Sequence, residues 1–139
     1  MMIPLRARLL LCTALLVLGS CGGGDDDPPV GGGTIMGQWQ LQSIEGANLP
    51  TLYPRTTLLV DHATANFGDP QFTMTYAGTF EGEPQNIVVN GTWSRDGGVY
   101  RLSGSVTING VYADGYNNGM SVNNGVLTGY GSPAEVWVR

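Results

Sequence analysis

The sequence predicts an all-β domain of about eight antiparallel strands within residues 34–139. Apolar and polar residues alternate there with a period of two, which is typical of strands that bury one face. Residues that favour turns recur about every ten positions, a spacing that suits short strands joined by hairpins. No stretch of this region shows the period of roughly 3.6 residues that marks an amphipathic helix.

The clearest alternation lies in residues 72–93 and predicts a long hairpin. The apolar side chains that share one face are Phe72, Met74, Tyr76, Phe80, Ile87, Val89 and Trp93. Threonine and asparagine dominate the opposite face, so we expect that face to contact water. Residues 81–84 separate the two halves as a turn.

Eight candidate strands follow from these patterns. They cover residues 35–44, 56–62, 71–81, 86–94, 98–104, 106–113, 119–130 and 133–139, and the seventh divides into two if residues 123–125 form a turn. The turn signals lie at residues 45–46, 61–69, 81–84, 96–98, 109–110, 117–119 and 123–125. Several of them contain Asp-Gly or Asn-Gly pairs, which supply the positive φ that tight hairpins need.

Several glycines occupy strand positions where the alternation requires an inward side chain. They are Gly37, Gly78, Gly91 and Gly110. Glycine inside a strand marks a bend, a bulge or a close approach of two backbones, and a tightly coiled sheet needs such points. We expect bends at these positions; a ligand that fills the same gaps is the alternative.

The first 20 residues have the three parts of an export signal. Arg6 and Arg8 give a positively charged start, residues 9–18 are apolar, and the small residues Gly19 and Ser20 follow. The apolar segment is too short to span a membrane, because a membrane-spanning helix needs about 20 apolar residues. We therefore expect residues 1–20 to be a removable signal peptide.

The sequence Leu18-Gly19-Ser20-Cys21 resembles the lipobox of bacterial lipoproteins. This resemblance implies cleavage before Cys21, attachment of a diacylglycerol to its sulfur and acylation of the new amine. Two or more acyl chains anchor a protein stably, so we expect a chain that is anchored to the membrane and does not span it. Gly22 in place of an aspartate suggests the outer membrane of the bacterial envelope. An ordinary secretory signal with a chance cysteine is the alternative.

Residues 21–33 are predicted to be a lipidated cysteine followed by a flexible tether. Residues 22–33 are almost entirely Gly, Asp and Pro, so they have too little apolar surface to offset the entropy of ordering. The three aspartates at 25–27 are expected to be solvated, with a calcium or partner site as the alternative. The predicted domain organisation is thus signal 1–20, tether 21–33 and β-domain 34–139.

Two motifs resemble small bacterial lipocalin-like, calycin-type lipoproteins. Residues 37–50 begin with Gly37-Gln38-Trp39, which is similar to the Gly-x-Trp opening of lipocalin barrels, and residues 91–102 read Gly-Thr-Trp-Ser-Arg-Asp-Gly-Gly-Val-Tyr-Arg-Leu. Together with the length and the strand count, these motifs favour a small up-and-down antiparallel β-barrel. The chain departs from full lipocalins because it is shorter and lacks their Thr-Asp-Tyr motif, disulfide and C-terminal helix.

The resemblance implies roles for residues at both ends of the barrel. Arg139 on the last strand is expected to pack on Trp39 near Gly37 and plug the closed end by a cation–π contact; a ligand-stacking role for Trp39 is the alternative. At the open end, the implied ligand is small and apolar or amphipathic. We expect it to be bound by Phe72, Tyr76, Tyr112 and Tyr130, although an eight-stranded interior is only just wide enough for a small ligand.

Composition excludes several classes of function. A net charge of −5 without a lysine argues against nucleic-acid binding, and the two cysteines, Cys12 and Cys21, both precede the domain. His62 is the only histidine, Asp61 beside it does not complete a metal shell, and no serine lies in a Gly-x-Ser-x-Gly pattern. We therefore expect no catalytic residue, no metal site and no cofactor.

The sequence leaves two functions open. The first is a lipid-anchored protein, expected to be a monomer, whose barrel binds a small lipophilic ligand. The second is a protein-interaction module, an enzyme inhibitor or an envelope-assembly lipoprotein, with a filled barrel and an unknown protein partner.

Overall fold

The computed structural model describes residues 33–139, and every regular element in this range is a β-strand. The strands are β1 (Gly37–Ile44), β2 (Ala47–Asn48), β3 (Thr51–Leu52), β4 (Leu59–Phe67), β5 (Gln71–Phe80), β6 (Glu83–Asp96), β7 (Val99–Ile108), β8 (Val111–Asn123), β9 (Val126–Gly129) and β10 (Glu135–Val138). No helix in this part of the chain is long and apolar enough to cross a membrane. The predictions of an export signal, of lipidation at Cys21 and of a tether that begins there concern residues outside the described range.

Eight of the strands form a closed antiparallel barrel. From β4 to β10 each strand pairs with the next one along the chain, and β1 closes the sheet by pairing with both β10 and β4. The short strands β2 and β3 pair in antiparallel fashion with the end of β1 and the start of β4, respectively. The structure confirms the predicted all-β, up-and-down barrel of eight strands, and closure leaves each of these eight strands with a neighbour on both sides.

The first disagreement with the predicted strands lies in β4. Residues 61–69 were expected to form a turn because they are rich in Asp and Asn, yet β4 continues to Phe67. Ala63, Ala65 and Phe67 face the interior and are buried, while the polar residues between them face outward. The burial of this alternating face outweighs the local turn preference.

The second disagreement lies in β7 and β8. The predicted strand 106–113 is interrupted by Asn109 and Gly110, which have positive φ values of 49° and 83° and form the hairpin turn. The expected turn at residues 117–119 is wrong, because Asn118 pairs with Leu102 inside the continuous strand β8. The expected break at residues 123–125 is confirmed, since β8 ends there and β9 begins.

One end of the barrel is filled by large side chains. The buried residues at this end are Ile35, Trp39, Phe67, Phe72, Tyr100, Leu102, Met120, Val122 and Leu127. Phe67 and Phe72 stack across the β4–β5 turn with their ring centroids 5.7 Å apart. We call this the closed end.

Arg139 lies over Trp39 at the closed end, as the family resemblance implied. Its guanidinium carbon is 4.4 Å from the centroid of the Trp39 ring. The same guanidinium donates hydrogen bonds to the carbonyl oxygens of Thr34 and Met36, at 2.8 and 2.9 Å. The Trp39 indole N–H donates to the Ile35 carbonyl at 2.7 Å, so the segment before β1 is attached to the barrel by both side chains.

Replacing Arg139 should therefore destabilise the barrel. We expect Arg139→Ala to lower the free energy of unfolding by about 1–2 kcal/mol, because the cation–π contact and two hydrogen bonds are lost. The control is Arg101→Ala, which removes an ion pair with Asp96 whose side chains are 65% and 67% exposed. Such a pair contributes less than about 1 kcal/mol. Urea denaturation measures both, and equal losses would contradict this role of Arg139.

Two glycines let β6 and β7 approach closely. Gly91 pairs with Gly104, and a Cβ atom on Gly91 would collide with the carbonyl oxygen of Ser103. Gly78 on β5 is equally close to the carbonyl of Leu59 on β4. Bends were expected at these positions; the structure shows close approaches of two backbones at Gly78 and Gly91, whereas Gly110 lies in a turn.

Candidate ligand-binding site

A cavity of about 200 Å³ lies at the end of the barrel opposite Trp39, which we call the open end. The residues that line it are Tyr53, Leu58, Tyr76, Ile87, Val89, Val106, Ile108 and Tyr116. They come from β5 to β8 and from residues 53–58, a loop closed by a 2.8 Å hydrogen bond from the Tyr53 amide to the Leu58 carbonyl. The cavity lies where these long strands extend past β9 and β10, which have four residues each.

The apolar wall of the cavity is built by β6 and β7. Ile87 pairs with Ile108 and Val89 pairs with Val106, so four branched side chains project inward as two facing rows. Branched aliphatic side chains pack well on a pleated surface and lose little entropy there. The wall is therefore preformed and offers an apolar ligand a continuous surface.

A buried carboxyl group, which the sequence did not predict as functional, lies behind Tyr76 and outside the cavity lining. Glu135 begins β10 and is only 4% exposed. The Tyr76 hydroxyl donates to its carboxylate, with the two oxygens at 3.0 and 3.1 Å, and the Trp137 indole N–H donates to Oε2 at 3.2 Å. Glu135 lies on the same face of β10 as the buried Trp137. The alternation of this strand was the one signal in the sequence that could have indicated burial of Glu135.

Burial has a large effect on the protonation of Glu135. Desolvation raises the pKa of this carboxyl from 4.5 to about 7, against the opposing effect of hydrogen bonds from Tyr76 and Trp137. The same desolvation, and next the negative charge of Glu135, raise the pKa of Tyr76 well above its ordinary value. Glu135 therefore changes its charge near neutral pH, while Tyr76 stays protonated.

Two further tyrosine hydroxyls face the cavity. Burial, followed by the charge of Glu135, raises the pKa of Tyr53 to about 12. Burial also raises the pKa of Tyr116, although a hydrogen bond from Asn118 opposes it. The Tyr116 oxygen accepts the Asn118 amide N–H at 3.2 Å and lies 3.8 Å from the Met74 sulfur. Both hydroxyls are thus neutral donors at physiological pH.

The four predicted ligand-binding residues do not lie together. Tyr76 lines the cavity, whereas Phe72 is buried deeper, against Phe67 and Tyr116. Tyr112 and Tyr130 are 67% and 61% exposed and are outside the cavity lining.

A bulge explains the position of Tyr112. The pairing of β7 with β8 shifts between Val106 and Thr107, so Tyr112 pairs with the outward-facing Thr107. Without this bulge, Tyr112 and Tyr116 would share the inward face. Tyr130 faces outward because Leu127 and Gly129 take the inward positions of β9.

The described residues offer few groups for catalysis near the cavity. His62 is exposed, and no arginine or histidine lines the cavity. Within residues 33–139, no group of three or more His, Cys, Asp or Glu side chains is close enough to share a metal ion. The cavity therefore offers apolar surface and tyrosine hydroxyls.

No protein-family model matches this chain, and no curated protein or solved structure shows a significant match to it. The closed barrel of eight antiparallel strands is compatible with a lipocalin-like fold. The resemblance to lipocalins accordingly rests on the motifs at residues 37–50 and 91–102 and on this architecture.

Glu135 should make the stability of the barrel depend on pH. Its pKa is higher in the folded state than in the unfolded chain, so the folded state binds more protons between about pH 4.5 and 7. The resulting contribution of Glu135 to the free energy of unfolding is fully present below about pH 4.5 and is lost as the pH rises through 7. The total change is on the order of 3 kcal/mol.

The variant Glu135→Gln removes this titration, so its stability should depend less on pH than that of the parent protein. We expect its free energy of unfolding at pH 8 to equal or exceed that of the parent protein, measured by urea denaturation from pH 5 to pH 8. The control is the exposed Glu83→Gln, which should keep the parental slope. A parental slope in Glu135→Gln would show that other groups cause the pH dependence.

Proposed function

We propose that this chain is a lipid-anchored protein of the bacterial cell envelope whose lipocalin-like barrel binds a small apolar or amphipathic ligand. The observation that carries this proposal is the open-end cavity, which is lined by an apolar wall and three tyrosine side chains. Small-molecule sites typically combine an apolar lining with a few well-placed polar groups. Binding rather than catalysis fits the lining, which consists of aliphatic and tyrosine side chains.

The size of the cavity limits the ligand. An engineered apolar cavity of about 150 Å³ binds benzene, and the present cavity of about 200 Å³ is only slightly larger. The enclosed part of a ligand is therefore about one ring or a short alkyl chain. A longer chain would extend past Phe80 and Val111, which are exposed at the open end.

The N-terminal sequence supports the cellular location in this proposal. The export signal and the lipobox at Cys21 favour anchoring through acyl chains, and Gly22 favours the outer membrane. Residues 22–33 then separate the anchor from the closed end, where the Tyr100 hydroxyl donates to the Gly33 carbonyl at 2.9 Å. The open end would thus lie on the far side of the barrel from the anchor.

Filling the cavity should weaken binding strongly. We expect the full chain in lipid nanodiscs to bind cyclohexanol with a dissociation constant below the millimolar range, measured by calorimetry against empty nanodiscs. Val106→Trp places an indole in the cavity and should weaken binding at least tenfold. The matched control is Val88→Trp, because Val88 belongs to the other face of β6; it should bind like the parent. No binding by the parent, or equal binding by all three, would contradict the proposed site.

A second function is favoured by the exposed apolar residues around the open end. These residues, which we call the apolar rim, are Leu52, Leu59, Phe80, Ile108, Val111 and Tyr112. Clustered exposed apolar side chains often mark protein contacts, so the chain is alternatively an inhibitor or an assembly factor that docks a partner there.

The two functions respond differently to substitution. If the rim docks a protein, Val111→Asp combined with Tyr112→Asp should abolish chemical cross-linking to a stoichiometric partner in cells, whereas Val106→Trp should leave it intact. If the barrel functions only as a ligand carrier, neither variant changes the cross-linking pattern.

A further inference from the structure

The hydroxyl groups of Tyr76 and Tyr116 have hydrogen-bonding capacity that the protein does not use fully. The Tyr76 hydrogen is donated to Glu135, but the Tyr76 oxygen keeps its capacity to accept. The Tyr116 oxygen accepts from the side-chain amide of Asn118, whose own oxygen is buried without a partner among the described residues, and the hydrogen of Tyr116 reaches the sulfur of Met74, a weak acceptor. One acceptor and one donor are therefore available to a ligand.

These two hydroxyls lie beside the same buried sulfur atom. The Tyr76 oxygen lies 3.7 Å and the Tyr116 oxygen 3.8 Å from the Met74 sulfur. A ligand hydroxyl group can donate to the first and accept from the second. An ammonium group can only donate and a carboxylate can only accept, so each would leave one tyrosine unsatisfied.

The charges around the cavity disfavour an anion. Every arginine of the described range, as well as His62, is absent from the lining. Behind Tyr76, the carboxylate of Glu135 is 3.0 Å from the Tyr76 oxygen. A carboxylate ligand would lose its hydration without gaining a counter-charge, and it would face a negative charge across one hydroxyl group.

We propose that the cavity selects an uncharged ligand that carries a hydroxyl group, namely an alcohol or phenol of about one ring. Glu135 is the residue that excludes a carboxylate with the same ring as that alcohol. This inference rests on the proposed ligand-binding function. It adds a class of ligand and a specificity-determining residue to that function. A simple alkane is also a poorer ligand, because it leaves the Tyr116 hydrogen without a strong acceptor.

The test compares three ligands with the same ring. The full chain in lipid nanodiscs is titrated by calorimetry at pH 8 with cyclohexanol, cyclohexanecarboxylate and cyclohexylammonium, with empty nanodiscs as the blank. Cyclohexanol should bind at least ten times more tightly than either ion. Tyr116→Phe should weaken the binding of cyclohexanol about three- to tenfold, which is the loss of affinity expected for one hydrogen bond. The control Tyr112→Phe, on the exposed surface, should change nothing.

Glu135→Gln separates the effect of charge from the effect of shape. Glutamine still offers an acceptor to Tyr76, so cyclohexanol should bind within about twofold of the parent. The carboxylate should bind at least fivefold more tightly than it does to the parent, because the opposing charge is gone.

A pH comparison provides a second measurement, with Glu135→Gln as its control. The titratable groups that face Glu135 are Tyr76 from β5, Tyr116 from β8 and Tyr53 from the loop after β3. All three stay protonated from pH 6 to pH 8, so only Glu135 among them changes charge. Between pH 8 and pH 6, binding of the carboxylate should therefore tighten more in the parent than in Glu135→Gln, in which only protonation of the ligand itself contributes.

The outcomes distinguish this inference from the proposed function. If no ligand binds, the ligand-binding function itself is wrong. If the carboxylate or the ammonium ion binds as tightly as cyclohexanol, the function stands and the inference is overturned. The inference is also overturned if Glu135→Gln does not improve binding of the carboxylate at pH 8.

Discussion

Strand β1 is hydrogen-bonded to β4 on one side and to β10 on the other, and this closure determines what the rest of the barrel can do. Closure removes the exposed sheet edges, but it also requires long and short strands to meet around one ring. β9 and β10 have four residues each, whereas β6 has 14. β6, β7 and β8 consequently extend past β9 and β10 at the open end. That mismatch in length produces the open end, and the cavity lies in it.

The amount of space inside the barrel follows from the packing around this ring. The contacts of Gly91 with Gly104, and of Gly78 with β4, draw neighbouring backbones together and narrow the interior. Large side chains then fill the closed end, and Trp137, which is fully buried, separates it from the Glu135 carboxyl above. Residues 33–139 contain no cysteine, so this packing and the closed hydrogen-bond ladder stabilise the barrel without a disulfide. A roomier barrel would have to give up part of that apolar core.

The fold class could be predicted from the sequence because alternation is a local property of each strand. The contact of Trp39 with Arg139 could be expected as well, although 100 residues separate the two. The Gly-x-Trp motif contains Trp39, and the resemblance to lipocalins implies an arginine on the last strand that packs on it. The cavity could not be predicted in this way. Tyr112 is displaced by a bulge that depends on the pairing of β8 with β7. Glu135 is compatible with burial because it accepts a hydrogen bond from Tyr76, which lies 59 residues away in the sequence. A single sequence does not show which distant strands become neighbours. Turn preferences in Asp- and Asn-rich segments misled the strand boundaries for the same reason, because partners across the sheet override them.

Glu135 raises the question of why the barrel keeps an ionisable group in its interior. A buried carboxylate destabilises the folded state unless its partners compensate, and replacing buried charges by neutral groups is often neutral or stabilising. Tyr76 and Trp137 compensate only in part, because the pKa of the carboxyl still rises to about 7. A glutamine could accept the same hydrogen bond from Tyr76 without the desolvation of a charge. The structural role of residue 135 therefore requires an acceptor but does not require a negative charge. Residues that reduce stability in this way are characteristic of functional sites, and here the charge lies one hydroxyl group away from the cavity. A glutamine could not reproduce the repulsion of an anion, and this repulsion links the buried carboxylate to the choice of ligand.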